Sequence, residues 1–266
     1  MKVFKYQATG NDFILTKDIP INPNSFAKAV CHRNFGIGAD GILYPSKSSI
    51  ADVQMNYYNS DGSIAKMCGN GIRAFARFLV DQKIINKLKF DIETLAGIKT
   101  VEIIDDNIKV HIGNPDLCVG MPDLKHTVDA NVAYNFNGVS GYVIAVGTLH
   151  TVVYQTENPG INLIKAGPIV QNNALFNDQT NVNFIEIIGE NQLNVQTYER
   201  GAGWTLSCGT GVSASVYHAL MKGLVKQNKV YVNVPGGKLE VEVEGTNIYL
   251  IGPAKPIMEG IFYEKA

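Results

Sequence analysis

Two cysteines in this chain stand in glycine frames at the start of helix-patterned segments: Cys68 in MCGNGIRAFARFLV and Cys208 in SCGTGVSASVYHAL. Behind the first, Ile72, Phe75, Ala76, Leu79 and Val80 keep the apolar rhythm of a helix; behind the second, Val212, Val216, Ala219 and Leu220 do the same. A helix start carries unpaired backbone N–H groups and a partial positive charge. A thiol placed there loses its proton more easily. Glycine lets the backbone approach a ligand, and the bare N–H groups can hold a carboxylate or phosphate. Each frame is therefore an anion cradle with a reactive sulfur at its edge. Two such frames facing each other would flank the carbon that carries the anion. A thiolate that removes a proton from one face of that carbon, and a thiol that returns one to the other, together invert a stereocentre. Like groups can exchange these roles, so the reaction runs in both directions. Cys31 and Cys118 lack such a frame and read as small buried hydrophobes.

The two frames belong to a longer repeat. The cysteines lie 140 positions apart (208 − 68), and the same offset relates Tyr58 to Tyr198 and Gly97 to Gly237. It also relates Val101, Glu102, Asn107 and Ile108 to Val241, Glu242, Asn247 and Ile248. Several matches at one offset imply two structurally similar halves, and two copies are too few for a solenoid. In each half a β-rich run (ADVQMNYYN, LNVQTYE) leads into the cysteine frame, the helix follows, and two more short strands come after it. The segment DLCVGMPDLKHTVDANVAYNFNG between the halves is poor in periodicity and reads as a crossover.

Bulk properties narrow the field. A chain of 266 residues with 45% hydrophobic content can bury a full core. A net charge of −1 gives no electrostatic reason to expect nucleic acid or an anionic membrane as partner. No apolar run is long enough for a membrane span, and MKVFKYQATGNDFIL lacks the apolar region of a signal peptide. No two of the four cysteines form a C-x-x-C pair, so free thiols in a reducing cytoplasm are expected. The histidines show no metal-ligand spacing, and neither a P-loop nor a dinucleotide fingerprint is present. No cofactor and no metal are expected.

With these motifs in place, the chain resembles the diaminopimelate epimerase family, the cofactor-independent two-cysteine amino-acid racemases and epimerases. The resemblance runs in family order through TGNDFIL (9–15), HRNFGIGADGIL (32–43), YNSDGSIAKMCGNGIR (58–73), GTLH (147–150), TNVNFIEI (180–187) and YERGAGWTLSCGTG (198–211). It implies an α/β (α+β) fold of two pseudo-symmetric domains. Each is a curved, mostly antiparallel sheet wrapped around a central helix, with the active site in the cleft between them. The domains are expected at 1–116 and 117–259, with residues 260–266 returning to the first. The resemblance gives the proton transfers to Cys68 and Cys208 and the α-carboxylate to the backbones of Gly69, Asn70, Gly209 and Thr210. His150 and Glu199 fall near the α-amino group and the cysteines, and Asn11, Asn59, Asn181 and Arg200 at positions that contact the far end of the substrate. The partner is a free amino acid. Oligomeric state is left open, a homodimer included.

Two positions depart from the family pattern. Thr148 stands where the family usually has the Asn of Gly-Asn-Pro-His, and Trp204 stands where Glu-Thr usually follows YERGAG. An amide lost and an indole gained argue for an amino acid other than diaminopimelate. Some histidine racemases of this superfamily are similar in carrying Trp four residues before the second cysteine, which makes histidine the first expectation. Diaminopimelate epimerase proper, interconverting the LL and meso forms in lysine biosynthesis, is the alternative. A thiol redox protein and a non-catalytic amino-acid-binding module are the competing classes.

Overall fold

The computed structural model describes residues 1–120 and 122–263, and the chain divides into two compact units. The first comprises Met1–His111 and the chain from Ile251 on; the second is Ile112–Leu250. Along the chain the two units meet at 111/112, and the segment that returns to the first runs from Ile251.

In the first unit, β1 (Lys2–Ala8) and β2 (Asn11–Leu15) form an antiparallel hairpin. Its two-residue turn has positive φ at both Thr9 (48°) and Gly10 (86°), as hairpins with two central residues favour. Helix α1 (Pro23–Cys31) is capped by Asn22, whose side chain accepts from the Ser25 N–H, and begins with Pro23. Strand β3 (Gly41–Ser46) runs parallel to β2, and β4 (Val53–Asn59) antiparallel to β3. Helix α2 (Gly69–Asp81) follows, and then β5 (Lys89–Thr94), β6 (Gly97–Ile104) and β7 (Asn107–Gly113). β5 lies parallel to β4, and β6 and β7 continue the sheet antiparallel. The strand Lys255–Ile261 closes the order on the other side by pairing with β1. It is the expected return of the last strand; residues 264–266 of GIFYEKA lie outside the described residues. Helix α2 packs on strands from both ends of this sheet, so its residues from Gly69 to Ala76 are all buried, as are Phe78 and Leu79. The Phe78 ring meets Phe4 and Tyr6 of β1 at centroid distances of 5.3 and 5.9 Å.

The second unit opens with a two-stranded ribbon, β8 (Cys118–Val119) and β9 (Val128–Asp129), and with β10 (Tyr134–Phe136). The segment read as a crossover is therefore part of this unit; Val119, Leu124, Val128 and Phe136 enter its core. Cys118 is exposed, contrary to the expectation of a buried hydrophobe, because it stands on the outward side of a two-residue strand; Cys31 is buried as expected. Strands β11 (Val139–Val146) and β12 (Thr148–Tyr154) are antiparallel. Helix α3 (Leu163–Gln171) precedes β13 (Asn181–Gly189), which lies parallel to β12. β14 (Gln192–Glu199) is antiparallel to β13, and its end carries the short β15 (Gly203–Thr205). Helix α4 (Gly209–Met221) leads to β16 (Lys229–Val234), parallel to β14, then β17 (Gly237–Glu244) and β18 (Asn247–Pro253). The strand Lys255–Ile261 of the first unit is thus β19.

The repeat is exact in the structure. Shifting α2, β5, β6 and β7 by 140 gives the bounds of α4, β16, β17 and β18 residue for residue. The registers shift with them: Val53 pairs Ile92 and Leu193 pairs Val232; Phe90 pairs Val101 and Val230 pairs Val241. Three strands follow each helix, where two were expected. No helix of the described residues is long and apolar enough to cross a membrane.

Candidate functional site

Each unit presents one cysteine frame, and each is built the same way. Cys68 and Cys208 are the N-cap residues of α2 and α4, both in extended backbone, so each sulfur stands beside a helix start whose first residue is a buried glycine, Gly69 or Gly209. A side chain at the third helical position of either frame would crowd the cysteine: a Cβ at Gly71 would come 3.4 Å from the Cys68 Cβ, and one at Gly211 3.3 Å from the Cys208 Cβ.

In the first unit the Cys68 Sγ accepts from the Gly71 N–H at 3.5 Å and lies 3.5 Å from Asn11 Oδ1. Asn11, placed at the start of β2 by the Thr9–Gly10 turn, donates its Nδ2 to the Asp40 carboxylate, and its Oδ1 accepts from Asn70 Nδ2 at 3.5 Å. Asp12 accepts ion pairs from Lys5 and Arg33, and Arg33 also reaches Asp40, so these acids are neutralised. Asn59 closes the NSDG turn: its Nδ2 donates to Ser63 Oγ at 2.9 Å, while Asp61 accepts from the Ser63 N–H at 2.8 Å. Asn11, Asn70 and Cys68 thus meet at one place, and the side chain of Asn59 is tied into its own turn.

In the second unit Cys208 is buried, and its Sγ lies 3.6 Å from Thr210 Oγ1. Burial, then the negative charge of Glu199, push this thiol well above its ordinary range, with the Thr210 hydroxyl and the Gly211 N–H pulling the other way. A helix start was expected to ease deprotonation; here the loss of solvent and a neighbouring carboxylate outweigh it. Glu199, at the end of β14, accepts from Thr205 Oγ1 at 2.6 Å.

His150 is fully buried on β12, and its pKa is lowered to about 3 by burial, with the Arg200 charge adding to the shift. The ring is therefore neutral. Asn183 Nδ2 lies 3.1 Å from its Nδ1 and can only donate, so Nδ1 accepts and Nε2 carries the hydrogen, directed to Thr148 Oγ1 at 3.1 Å. Asn183 is held in turn by Thr197, whose hydroxyl donates to its Oδ1 at 3.1 Å. Thr148, the departure from the family's Asn, is thus a hydrogen-bond partner of His150.

Asn181 spends its amide on backbone: Nδ2 donates to the Leu149 carbonyl at 2.9 Å, and Oδ1 accepts from the Arg200 N–H at 3.0 Å. It clamps the strand ends that carry His150 and Arg200. The Arg200 guanidinium, partly exposed, is held by Asp178 at 3.2 Å and Asp123 at 3.6 Å. Trp204 stands on β15 with its ring against Phe184 and Tyr198, at centroid distances of 5.7 and 5.4 Å.

Asn183, Thr205, Thr9 and Arg73 lie within the quoted motifs but drew no role from them. Asn183 touches His150, Thr205 touches Glu199, and Thr9 and Arg73 touch each other, with Arg73 also reaching Asn70. Asn183 had a signal: in NVNF it shares a strand face with Asn181, and two polar residues on one face of an otherwise apolar strand point to a shared polar task. Among the described residues no cluster of side chains suited to a metal ion occurs.

This architecture recurs among proteins described as racemases and epimerases. A crystal structure of a probable proline racemase from Agrobacterium radiobacter K84 matches with a TM-score of 0.72 over 99% of this chain and 93% of that one, at 13% identity. A hydroxyproline epimerase from Agrobacterium vitis matches with a TM-score of 0.68 over 98% of this chain and 91% of that one, at 15% identity. At these identities the likeness shows the shared fold. Sequence goes further. The family model for diaminopimelate epimerase matches residues 3–118 and 142–257. The diaminopimelate epimerase of Alkaliphilus metalliredigens (strain QYMF) is 41% identical over 98% of this chain and 97% of its own length. That of Clostridium perfringens (strain 13 / Type A) is 38% identical over 98% of this chain and 99% of its own length. The chain belongs to the diaminopimelate epimerase family and is an isomerase.

Proposed function

We propose that the protein is a cofactor-independent epimerase that inverts an α-carbon of diaminopimelate, interconverting the LL and meso forms. Cys68 and Cys208 serve as the paired base and acid. The observation that carries the reaction type is the exact repetition of one half-site at an offset of 140: a cysteine as N-cap, a glycine behind it, and a helix with the same bounds. In this reading the N–H groups of Gly69, Asn70, Gly209 and Thr210 hold the α-carboxylate. The neutral His150 and the carboxylate of Glu199 serve the α-amino group. Asn11 from one unit and Arg200 from the other serve the far end, where the partly exposed guanidinium of Arg200 suits a second carboxylate. Asn59 and Asn181, expected there as contacts, act by holding the NSDG turn and the strand ends that carry His150 and Arg200.

The relatives favour diaminopimelate over histidine, since the Alkaliphilus and Clostridium proteins are diaminopimelate epimerases. Two further observations support the same choice. Thr148 is engaged with His150, so its shortness relative to Asn serves a local hydrogen bond. Trp204, though 39% exposed, has ring partners of its own in Phe184 and Tyr198, which fix it within its own unit.

The test is turnover in deuterated water with LL-diaminopimelate and L-histidine side by side. Deuterium is expected at the α-carbon of diaminopimelate and not of histidine. The reverse result would replace the substrate, and no exchange into any free amino acid would remove the two-base reading altogether. A second expectation concerns the tryptophan. Trp204→Ala should lower stability by about 0.5–1.5 kcal/mol for each of its two ring pairs, seen as a reduced Tm. The ratio of kcat/KM for diaminopimelate over histidine should stay unchanged. A ratio altered by tenfold or more would return Trp204 to the substrate pocket.

A further inference from the structure

Helix α2 buries an arginine with no carboxylate beside it. Arg73 is 0% exposed, yet among the described residues no Asp or Glu pairs with it. Its partners are neutral. Nη1 donates to the Gly69 carbonyl at 2.9 Å, and Nη2 to Asn70 Oδ1 at 3.0 Å and Thr9 Oγ1 at 3.2 Å; Nε is buried with no hydrogen-bond partner. A buried charge without a counter-charge is heavily penalised, and a protein retains one where a negative charge is to be met. Burial draws the arginine down to about 10; among the described residues the ionisable group whose charge bears on it is Cys68, the N-cap of the same helix, whose negative form favours the charged guanidinium.

The other half-site differs at this position. The residue 140 positions on is Ser213 (73 + 140), also fully buried, and its Oγ donates to the Gly209 carbonyl at 2.9 Å, just as Arg73 donates to Gly69. The two side chains tie the same carbonyl in the two half-sites, and only one of them carries charge. On the second side the nearby charge is that of Glu199, which opposes a thiolate. We propose that Arg73 is a positioning residue whose buried guanidinium is the fixed counter-charge that makes Cys68 the resting thiolate, while Ser213 and Glu199 leave Cys208 as the resting thiol.

Of the other charged groups on elements packed against α2, Lys99 of β6 shares the inward face with Val101 and Ile103 and is a second cation drawn down by burial; the acids are engaged elsewhere. Asp12 is spent on Lys5 and Arg33, and Asp40 on Arg33 and the amide of Asn11. Arg77, Asp81 and Tyr6 form a cluster at the far end of the helix. On the outer strands, Lys89 meets Glu102 of β6, and Glu259 of β19 meets Lys2. Asn11 Oδ1, 3.5 Å from the sulfur, opposes a thiolate as a neutral dipole, against which stand a full charge and the Gly71 N–H.

The inference rests on the two-cysteine reading, but its test needs no substrate. Alkylation of the free enzyme by iodoacetamide is followed against pH, residue by residue, by peptide mass spectrometry. Cys68 is expected to react with a lower pH midpoint than Cys208. Arg73→Gln keeps an amide donor and removes the charge; it should raise the Cys68 midpoint by about one unit or more and leave Cys208 unmoved. Arg73→Lys, which keeps a cation, should restore most of the difference. A lower midpoint for Cys208 in the wild type overturns the proposal, and should Arg73→Gln not fold, that order decides it. A folded Arg73→Gln with an unmoved Cys68 also overturns it, as it would for an arginine that serves only a bound carboxylate. Normal diaminopimelate epimerisation alongside an unmoved Cys68 discards Arg73 and keeps the function. A shifted Cys68 without epimerisation does the reverse.

Discussion

Replacing Cys68 or Cys208 by alanine is expected to lower kcat/KM for epimerisation by roughly 10²–10⁴-fold each, the usual weight of a general acid or base. A stereocentre cannot be inverted by one group acting from one face, so neither sulfur substitutes for the other. The two variants should differ in stability. The Cys68 Sγ accepts from the Gly71 N–H at 3.5 Å, while the matching Gly211 N–H bears on the Cys208 sulfur without closing a cap bond. Cys68→Ala should therefore lose about 0.5–2 kcal/mol of helix capping. Cys68→Ser restores a capping oxygen, and so should recover stability without recovering turnover. Thermal melts and turnover of diaminopimelate measured on the same preparations separate the two effects. Near-normal turnover by either alanine variant would end the two-base reading.

Gly211→Ala should be the more damaging of two matched glycine substitutions. A Cβ there would stand 2.2 Å from Asn183 Oδ1, whereas at Gly71 the nearest atom is the Phe13 Cζ at 3.2 Å. Asn183 is fully buried between His150 and Thr197, so it has no free direction in which to yield. Overpacking of this kind costs about 1–3 kcal/mol. If Asn183 moves, the hydrogen bond that sets the His150 tautomer is lost, and displacement of a positioned group costs on the order of 10²-fold in rate. The expected result is a Tm lowered by several degrees with a large fall in kcat. At Gly71→Ala, where an aromatic edge must give by a few tenths of an ångström, the effect should be smaller. Equal effects at the two sites would count against the role given to Asn183.

What could be read from the sequence follows physical lines. The helices behind the cysteine frames were legible because their apolar residues recur at helical spacing and their starts are marked by glycine. The two halves were legible because the offset of 140 survives without insertion from Tyr58 to Ile108. The placement of single polar side chains was not. Arg73 sits in a helix where an arginine ordinarily lies on the solvated face, and only the packing of β1, β2, β3, β6 and β19 against α2 buries it. Asn181 reads as a ligand-binding residue, yet its amide is consumed by two backbone groups, which no local pattern announces. The strands β8 and β9 are two residues each, too short to leave a period. Trp204 reads as a change of substrate because it is rare and near the cysteine; its packing on Phe184 and Tyr198 depends on how β15 folds back on β14.

The pairing of β19 with β1 has a consequence for how the chain is made. Lys2 meets Ile261, so β1 is synthesised 259 positions (261 − 2) before the strand that covers its edge. The second unit is a single run of chain, Ile112–Leu250, and has all its strands in hand before β19 emerges. Domains tend to fold in the order they are synthesised, and pairings between distant residues form slowly. Here the order is inverted. The half made first is completed last, and until then the edge of β1 stands open, ready to pair with β19 of the same chain or with an exposed strand of another.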